Sequence, residues 1–331
     1  MISLETNYMG LVLKNPLVAG SSGFTGSAKL IKQLAAAGVG AVVLKSLFEE
    51  QINIESRNIV SSNDQNYSYP GAEEYIRNYT KSNTLQQYLD LIREVKKAVD
   101  IPVIASINCV GNSDWTTFAK DIEAAGANAI ELNIFELAVD RNISAEKYEQ
   151  KYLDILRAVK KNISIPVAVK ISQYFTNIVR VVDQLYANGA NSVVLFNRFW
   201  EPDIDLEKLE ITTASIVSSP NDLTKMLRWT GIVNGVLPNV QIAASTGIHN
   251  GDGVLKAILA GAQVAQLCST LYINGYGVVE QMLTEMEFFM KKWNFNSIAD
   301  FRGKLNYSEI PAFDKYERVQ FMKYFSGKEL I

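Results

Sequence analysis

The chain carries four copies of one hydrophobic pattern, at residues 36–45, 124–133, 187–197 and 260–269. In each copy an alanine-rich segment ends at a glycine, and a short apolar run follows and stops at a polar residue. A glycine in that place suits the left-handed cap that ends a helix. An apolar run without alternation suits a parallel strand that is buried on both faces. Each copy therefore predicts a helix followed by a buried strand.

A second set of apolar runs lies between the copies, at residues 15–20, 101–106, 165–170 and 240–245. In three of them a proline stands at the start, where a missing N–H harms a strand least. The two sets give eight strands separated by helical segments, which predicts an α/β fold, the (β/α)8 TIM barrel. The alternative is an open, doubly wound sheet, but Ser21–Gly26 lacks the G-x-G-x-x-G spacing that such a sheet favours.

Three segments are longer than a barrel connection needs. Residues 47–80, after the second strand, are polar and rich in tyrosine, which is typical of a lid or binding loop. Residues 198–230, after the sixth strand, scatter aliphatic among polar side chains and predict a small hairpin. No linker divides the chain. We therefore expect one barrel domain over residues 1–331, with an aromatic and charged C-terminal extension at 307–331 that packs on the barrel or on a partner subunit.

Composition removes several function classes. The 331 residues carry a net charge of −3 and no basic run, so no nucleic-acid partner is expected. Two cysteines are too few for a disulfide framework or an iron–sulfur cluster, and a single histidine, His249, excludes a multi-histidine metal site. Because neither a signal peptide nor a membrane span of about 20 apolar residues is visible, we expect a cytoplasmic protein with no membrane partner.

Polar residues end the predicted strands, where the active site of such a barrel lies. In chain order they are Ser21, Ser22, Lys45, Ser46, Ser106, Asn108, Asn133, Lys170, Asn197, Ser245, Thr246, Ser269 and Thr270. Two lysines and three asparagines that point into one mouth predict a site for an anion or for an electron-rich ring with several carbonyls. Taken singly, a strand-end lysine is more often a solvated rim charge, and asparagine is common in turns.

The turns after the last two strands predict a phosphate site. Residues 246–251 read T-G-I-H-N-G, and Ser269 and Thr270 follow the eighth strand. Loops in these two positions commonly hold a phosphate in (β/α)8 barrels, and Gly247 would let backbone N–H groups approach the phosphate oxygens. A phosphate together with two inward lysines suggests flavin mononucleotide (FMN). We interpret His249 as a turn residue near the phosphate.

Four motifs connect the chain to a known family: V-L-K-S at 43–46, E-L-N-I at 131–134, V-K-I-S-Q-Y-F at 169–175 and S-I-A-D-F-R-G-K-L at 297–305. On these motifs the sequence resembles the dihydroorotate dehydrogenases, and among them the cytosolic, FMN-containing class, over most of residues 1–306. The resemblance implies an FMN-dependent oxidoreductase of pyrimidine biosynthesis that forms a homodimer.

The resemblance also implies a role for each matching residue. Lys45, followed by Ser46, would lie beside the flavin pyrimidine ring and stabilise negative charge on the reduced cofactor. The remaining expected cofactor contacts are Gly20, Ser21 and Lys170 at the flavin and ribityl chain, Asn133 and Asn197 at both flavin and substrate, and Thr246, Gly247, Ser269 and Thr270 at the phosphate.

The substrate half of the site departs from the family pattern. After E-L-N-x-S the family carries a Cys or Ser base, then Pro and Asn, whereas this chain continues Phe135, Glu136, Leu137 and Ala138. Glu136 therefore stands in the place of the catalytic base, and Ala138 in the place of a substrate-binding asparagine. The family's lid segment N-S-M-G-x-P-N reads N-Y-S-Y-P-G at 66–71. Cys109 is a second candidate base, although a small buried thiol is the commoner role of such a residue.

Three functions remain open on the sequence. The first is a dehydrogenase that oxidises dihydroorotate or a related dihydropyrimidine, with hydride passing to flavin N5 while Glu136 takes the proton and Lys45 stabilises charge. The second is a flavin-binding paralogue with another substrate or little activity, and the third is a phosphosugar isomerase or lyase without flavin. Because iron–sulfur ligands are missing, electron transfer to NAD would need a separate partner chain.

Overall fold

The computed structural model describes residues 2–48, 54, 72–109, 112–198, 201–311 and 316, with the backbone alone described for 72–78 and 112–114. The strands in these ranges are β1 (Thr6–Tyr8), β2 (Leu11–Leu13), β3 (Leu17–Ala19), β4 (Ala41–Val43), β5 (Leu47–Phe48), β6 (Val103–Asn108), β7 (Ala129–Asn133), β8 (Val167–Ile171), β9 (Ser192–Leu195), β10 (Pro202–Asp205), β11 (Glu210–Thr213), β12 (Ile242–Ser245) and β13 (Val264–Leu267). The α-helices are α1 (Ala28–Ala37), α2 (Ala72–Ala98), α3 (Asn112–Ala124), α4 (Ala145–Lys160), α5 (Ile178–Ala187), α6 (Leu223–Val236), α7 (Gly251–Ala260), α8 (Ser269–Asn274) and α9 (Gly277–Trp293).

Eight parallel strands close into a barrel. They follow one another as β3, β4, β6, β7, β8, β9, β12 and β13, and β13 pairs with β3 to complete the circle. The short β5 adds to the upper part of β6. Since an open sheet would leave two unpaired edge strands, the predicted (β/α)8 barrel is confirmed and the doubly wound alternative is excluded.

The four sequence repeats fold alike. Each ends its alanine-rich segment at a glycine in the left-handed region, and these are Gly38, Gly126, Gly189 and Gly261, with φ of +107°, +95°, +95° and +119°. A side chain would be strained in this conformation, which explains why the same residue recurs. The predicted helix, glycine cap and buried strand are confirmed in every copy.

A repeated side-chain hydrogen bond fixes the start of three barrel strands. Two residues after the capping glycine, an amide oxygen accepts from the first N–H of the neighbouring strand. The pairs are Asn128 with Val103 at 2.9 Å, Asn191 with Val167 at 2.9 Å and Gln263 with Ile242 at 2.7 Å. These bonds satisfy backbone donors at the amino ends of the strands, where the ladder has no partner for them.

The barrel interior is filled by small and branched apolar side chains. The inward residues at the level of the strand centres are Val18, Val43, Ile104, Ala129, Ala168, Val194, Ala243 and Val264. The β1–β2 hairpin closes the amino end beneath them with Tyr8, Met9 and Leu13. At this level the interior formed by the described residues is therefore a packed core.

The long segments agree with the sequence in part. The hairpin expected within residues 198–230 is present as β10 and β11, paired from Pro202↔Thr213 to Asp205↔Glu210. The loop expected over residues 47–80 is shorter than predicted, because α2 already begins at Ala72, in a stretch without proline or glycine. The lid segment at 66–71 and most of the C-terminal extension lie outside the described residues.

Within the described part of the chain, no helix combines the length and the apolar character that crossing a bilayer requires. The expected cytoplasmic location stays a prediction.

The first prediction concerns the strand-start hydrogen bonds. Replacing Asn191 by Ala removes the acceptor of the Val167 N–H and leaves that donor without its bond, so the free energy of unfolding should fall by about 1–2 kcal/mol. Urea unfolding followed by circular dichroism measures the change. Asn221→Ala, on the exposed surface before α6, serves as the control and should shift the midpoint little. An unchanged midpoint for Asn191→Ala would contradict the assigned role.

Candidate active site

A polar layer lies on top of the apolar barrel core. Strand side chains point to the two faces alternately, so the residues two positions beyond the apolar layer again face the barrel axis. At six strands the residues in this position are polar, namely Lys45, Ser106, Glu131, Lys170, Ser245 and Gln266, and of these Lys45 is exposed. The barrel therefore changes from an apolar to a polar interior over a single pair of residues per strand.

Glu131 is the buried charge of this layer, with 1% of its surface exposed. Gln266 Nε2 donates to Glu131 Oε2 at 2.5 Å, and Lys170 Nζ donates to Gln266 Oε1 at 3.2 Å. The Lys170 ammonium also lies 3.8 Å from Glu131 Oε1. Burial and then the charge of Glu131 raise the pKa of the Tyr8 phenol below, so Tyr8 stays protonated.

The cavity above the polar layer has a volume of about 280 Å³. It is lined by residues from the ends of β3, β8, β9, β12 and β13 and from the chain after β11. They are Gly20, Ser21, Lys170, Phe196, Asn197, Arg198, Ile216, Ser218, Ser245, Thr246, Gly247, Ile248, Gln266, Cys268 and Ser269. Seven of the residues that the sequence predicted for the cofactor site therefore border one space.

Two further predicted residues are bonded to the cavity lining. Asn197 Nδ2 donates to Asn133 Oδ1 at 2.6 Å, which joins the ends of β9 and β7. The hydroxyls of Ser21 and Ser46 lie 3.1 Å apart, and that of Ser46 lies 2.7 Å from Ser106. The serine bonds join the ends of the neighbouring strands β3, β4 and β6, and the asparagine bond spans the end of β8, which lies between β7 and β9.

The predicted phosphate loops meet at one end of the cavity. Thr246 and Gly247 have φ of +88° and +78°, so the chain makes a tight turn directly after β12. A Cβ on Gly247 would lie 2.2 Å from the backbone nitrogen of Leu223, so only glycine fits beside the start of α6. Because Thr246 is not a glycine, its positive φ is strained, and strained residues of this kind are concentrated at functional sites.

Ser218 connects the groups at this end. Its Oγ accepts from the Gly247 N–H at 3.3 Å, and its own N–H donates to Ser269 Oγ at 2.8 Å. The Ser218 hydroxyl also lies 3.1 Å from Nε2 of His249. Thr270 does not line the cavity, and its hydroxyl donates to the His249 carbonyl at 3.2 Å. This end thus gathers hydroxyls, a backbone N–H and an imidazole, which are groups that bind phosphate oxygens.

Comparison with known proteins gives the family. The family model described as dihydroorotate dehydrogenase matches residues 3–290. The chain belongs to the dihydroorotate dehydrogenase family. Among its relatives, the protein named "dihydroorotate dehydrogenase B (NAD(+)), catalytic subunit" of Methanocaldococcus jannaschii is 27% identical over 304 residues, which cover 88% of this chain and 94% of the relative. The protein of the same name from Thermoplasma acidophilum is 26% identical over 318 residues, which cover 92% and 99%.

Lys45 of this dihydroorotate dehydrogenase family member does not share the mouth with Lys170. After β4 the Lys45 N–H donates to the Thr25 carbonyl at 3.2 Å, and the exposed side chain lines a separate groove of about 290 Å³ between the start of α1 and α2. The expectation that both lysines point into one mouth is therefore wrong. The role of Lys45 at the flavin stays a prediction.

The altered base loop also faces a different space. The Glu136 carboxylate pairs with Lys151 of α4 at 2.8 Å, and both Glu136 and Ala138 line a small pocket of about 70 Å³ beside Tyr152. Burial and then the charge of Glu136 raise the pKa of the Tyr152 phenol. Glu136 as the catalytic base remains a prediction, and Cys109, the other candidate, is buried.

Several residues of the cavity and of the polar layer beneath it were missed by the sequence reasoning. Glu131 and Gln266 interrupt apolar runs at positions two residues beyond an inward alanine or valine, a signal that counting along the strand would have found. Arg198 and Ser218 gave no such signal, because they come from the hairpin segment rather than from a strand end. Arg198 donates from its two terminal nitrogens to the carbonyls of Ile216 at 2.5 Å and Ser215 at 2.8 Å.

The second prediction concerns His249, whose pKa is lowered from 6.5 chiefly by burial. On acidification the unfolded chain binds the proton at a higher pH than the folded protein does. The contribution of His249 to stability is therefore complete at neutral pH and is lost as the pH falls through about 6.5. When the pH is lowered from 7.5 to 5.5, we expect the free energy of unfolding of the wild type to fall relative to that of His249→Gln. Urea unfolding at both pH values measures it, and a difference independent of pH would contradict the assignment.

Proposed function

We propose that the protein is an FMN-dependent oxidoreductase of the dihydroorotate dehydrogenase type, acting on dihydroorotate or a related dihydropyrimidine. The observation that carries the proposal is the cavity over the polar layer, which collects a cation, hydroxyls and a tight glycine turn at the strand ends of a barrel from this family. The relatives' name, a catalytic subunit of an NAD⁺-linked enzyme, supports the same reaction type.

The chemistry of the cavity fits FMN. The phosphate of FMN is anionic and needs N–H and O–H donors. Ser218 and Ser269 would provide hydroxyls, and Gly247 would provide its N–H by exchanging the long bond to Ser218 Oγ for one to the phosphate. The flavin ring carries carbonyls and gains negative charge when it is reduced, and Lys170 at the floor of the cavity offers an ammonium to it. A phosphosugar enzyme would use the phosphate end alone and would leave the buried Lys170–Gln266–Glu131 network without a purpose.

Residues of the chain would bind the substrate and accept its proton. Bound FMN would supply the hydride acceptor. Asn133 and Asn197, fixed to one another, would orient the carbonyl and amide groups of the substrate. Glu136 would accept the proton that leaves as the hydride departs, which requires it to exchange its ion pair with Lys151 for the substrate. That competing ion pair supports a second candidate, a flavin protein with slow dihydroorotate oxidation or another substrate.

The proposal includes a homodimer and a separate electron-transfer partner. The hairpin of β10 and β11 exposes the aliphatic side chains of Ile204, Leu206, Leu209 and Ile211, and the exposed Ile216 that follows it lines the cavity. Apolar patches of this kind mark protein contacts. Light scattering should give the mass of two chains, and a monomer at micromolar concentration would contradict the dimer.

The third prediction tests the cofactor. FMN should co-purify with the protein and should bind at least about tenfold more tightly than riboflavin, which lacks the phosphate and so loses its charge-assisted hydrogen bonds. Quenching of flavin fluorescence on titration measures both affinities. Ser269→Ala should narrow the difference between FMN and riboflavin, whereas Ser164→Ala, on the amino side of β8, should leave it unchanged. A colourless protein that binds neither flavin would exclude the proposal.

The fourth prediction tests the base loop. Anaerobic mixing of the oxidised flavoprotein with dihydroorotate should bleach the flavin band slowly or not at all, because Glu136 is held by Lys151 and Ala138 offers no amide to the substrate. The double variant Glu136→Cys with Ala138→Asn should bleach faster, because a thiol with a reference pKa of about 8.5 acts near neutral pH.

Lys151→Met provides the matching control on the ion pair. It frees Glu136 without changing the loop, so it should speed bleaching if Glu136 is the base. Rapid, complete bleaching by the wild-type protein would show that the altered loop does not impair dihydroorotate oxidation.

A further inference from the structure

The buried carboxylate beneath the cavity has no part in the roles assigned so far. Glu131 has 1% of its surface exposed, and its Oε1 has no hydrogen-bond partner among the described residues. Burying a carboxylate is costly unless a cation and hydrogen bonds compensate for the lost water. Here the compensation comes from Lys170 and Gln266, and both reach the wall of the cavity.

Gln266 transmits the position of Glu131 to Lys170. An amide has a donor end and an acceptor end, and an ionised carboxylate can only accept. The carboxylate therefore binds the NH2 end of Gln266 at 2.5 Å, which turns Oε1 towards the Lys170 ammonium at 3.2 Å. The lysine ammonium can only donate, so it also selects Oε1, and the carboxylate anchors the other end of the amide. Without a carboxylate at residue 131, the Gln266 NH2 group would lose this anchor.

Lys170 needs such a constraint because its side chain is long and flexible. An unrestrained ammonium would sample many rotamers, and ordering it would cost part of the binding free energy of any ligand. In the structure the ammonium is anchored on one side by Glu131 and Gln266, and the side chain borders the cavity with 13% of its surface exposed.

We propose that Glu131, acting directly and through Gln266, is a positioning residue that holds the Lys170 ammonium at the cavity floor ready to bind an anionic flavin. This inference rests on the proposed FMN site. It assigns to Glu131 a role without contact with the ligand, since the carboxylate is enclosed, whereas Gln266 orients the lysine and also borders the cavity.

The test is a double-mutant cycle on FMN affinity. Glu131→Gln keeps the size of the side chain and removes the charge, so it should weaken FMN binding about tenfold in the presence of Lys170. In the Lys170→Met background the same change should have no further effect on FMN affinity, because the group through which Glu131 acts is gone. Gln266→Met, which breaks the relay without altering charge, should weaken binding in the same direction.

The control is Glu123→Gln, which removes another hydrogen-bonded carboxylate far from the cavity. Glu123 accepts from the N–H groups of Ser164 and Ile165 at the amino side of β8, so its loss should lower the unfolding temperature and leave FMN affinity unchanged. A purely structural Glu131 would behave like Glu123. Equal weakening by Glu131→Gln in the wild-type and Lys170→Met backgrounds, or no weakening in either, would overturn the proposal.

A second readout does not need flavin. Lys170 held by Glu131 and Gln266 should be protected from acylation by a small amine reagent, and Glu131→Gln should raise its labelling rate, as measured by peptide mass spectrometry on the flavin-free protein. Glu131→Asp, which keeps the charge, should restore part of the protection. If wild type binds no FMN, the proposed function fails, and the labelling result alone then decides whether Glu131 positions Lys170. Unchanged labelling overturns the inference.

Discussion

Closing eight parallel strands into a ring sends every second side chain of each strand to a common axis, and the rest of the molecule depends on this convergence. At the level of the strand centres the axis accepts small apolar groups and packs solid. One step further along, the same geometry brings Glu131, Lys170 and Gln266 from three strands into contact. A charge at that depth is tolerated only because its partners arrive with it, and the floor of the cavity is the result.

The strands and their order could be predicted from the sequence because their signals are local. A glycine that must adopt positive φ, a buried run and a proline at a strand start each depend on a few neighbouring residues. The strand-end rule also brought Asn133 and Asn197 to one place, although they are far apart in the chain. Loop segments gave weaker signals, and α2 begins where a polar composition suggested a loop.

The residues that escaped prediction are those whose position depends on contacts between distant segments. Alternation along β4 would turn Lys45 inward, but its backbone N–H donates to the Thr25 carbonyl and its side chain lines another groove. Arg198 reaches the cavity because it binds carbonyls beyond the hairpin. Nothing in the residues around Glu136 indicates that Lys151, on the following helix, would take its carboxylate.

The amide oxygens that pin the first N–H of β6, β8 and β12 lie at the opposite end of the barrel from the cavity. The bonds that hold the strand starts and the candidate site therefore lie at opposite ends of the barrel. The loop after β7, residues 135–138, follows the carboxyl end of its strand. A substitution there removes none of the three bonds at the strand starts. The departure of Phe135–Ala138 from the family pattern therefore leaves the bonds at the strand starts in place.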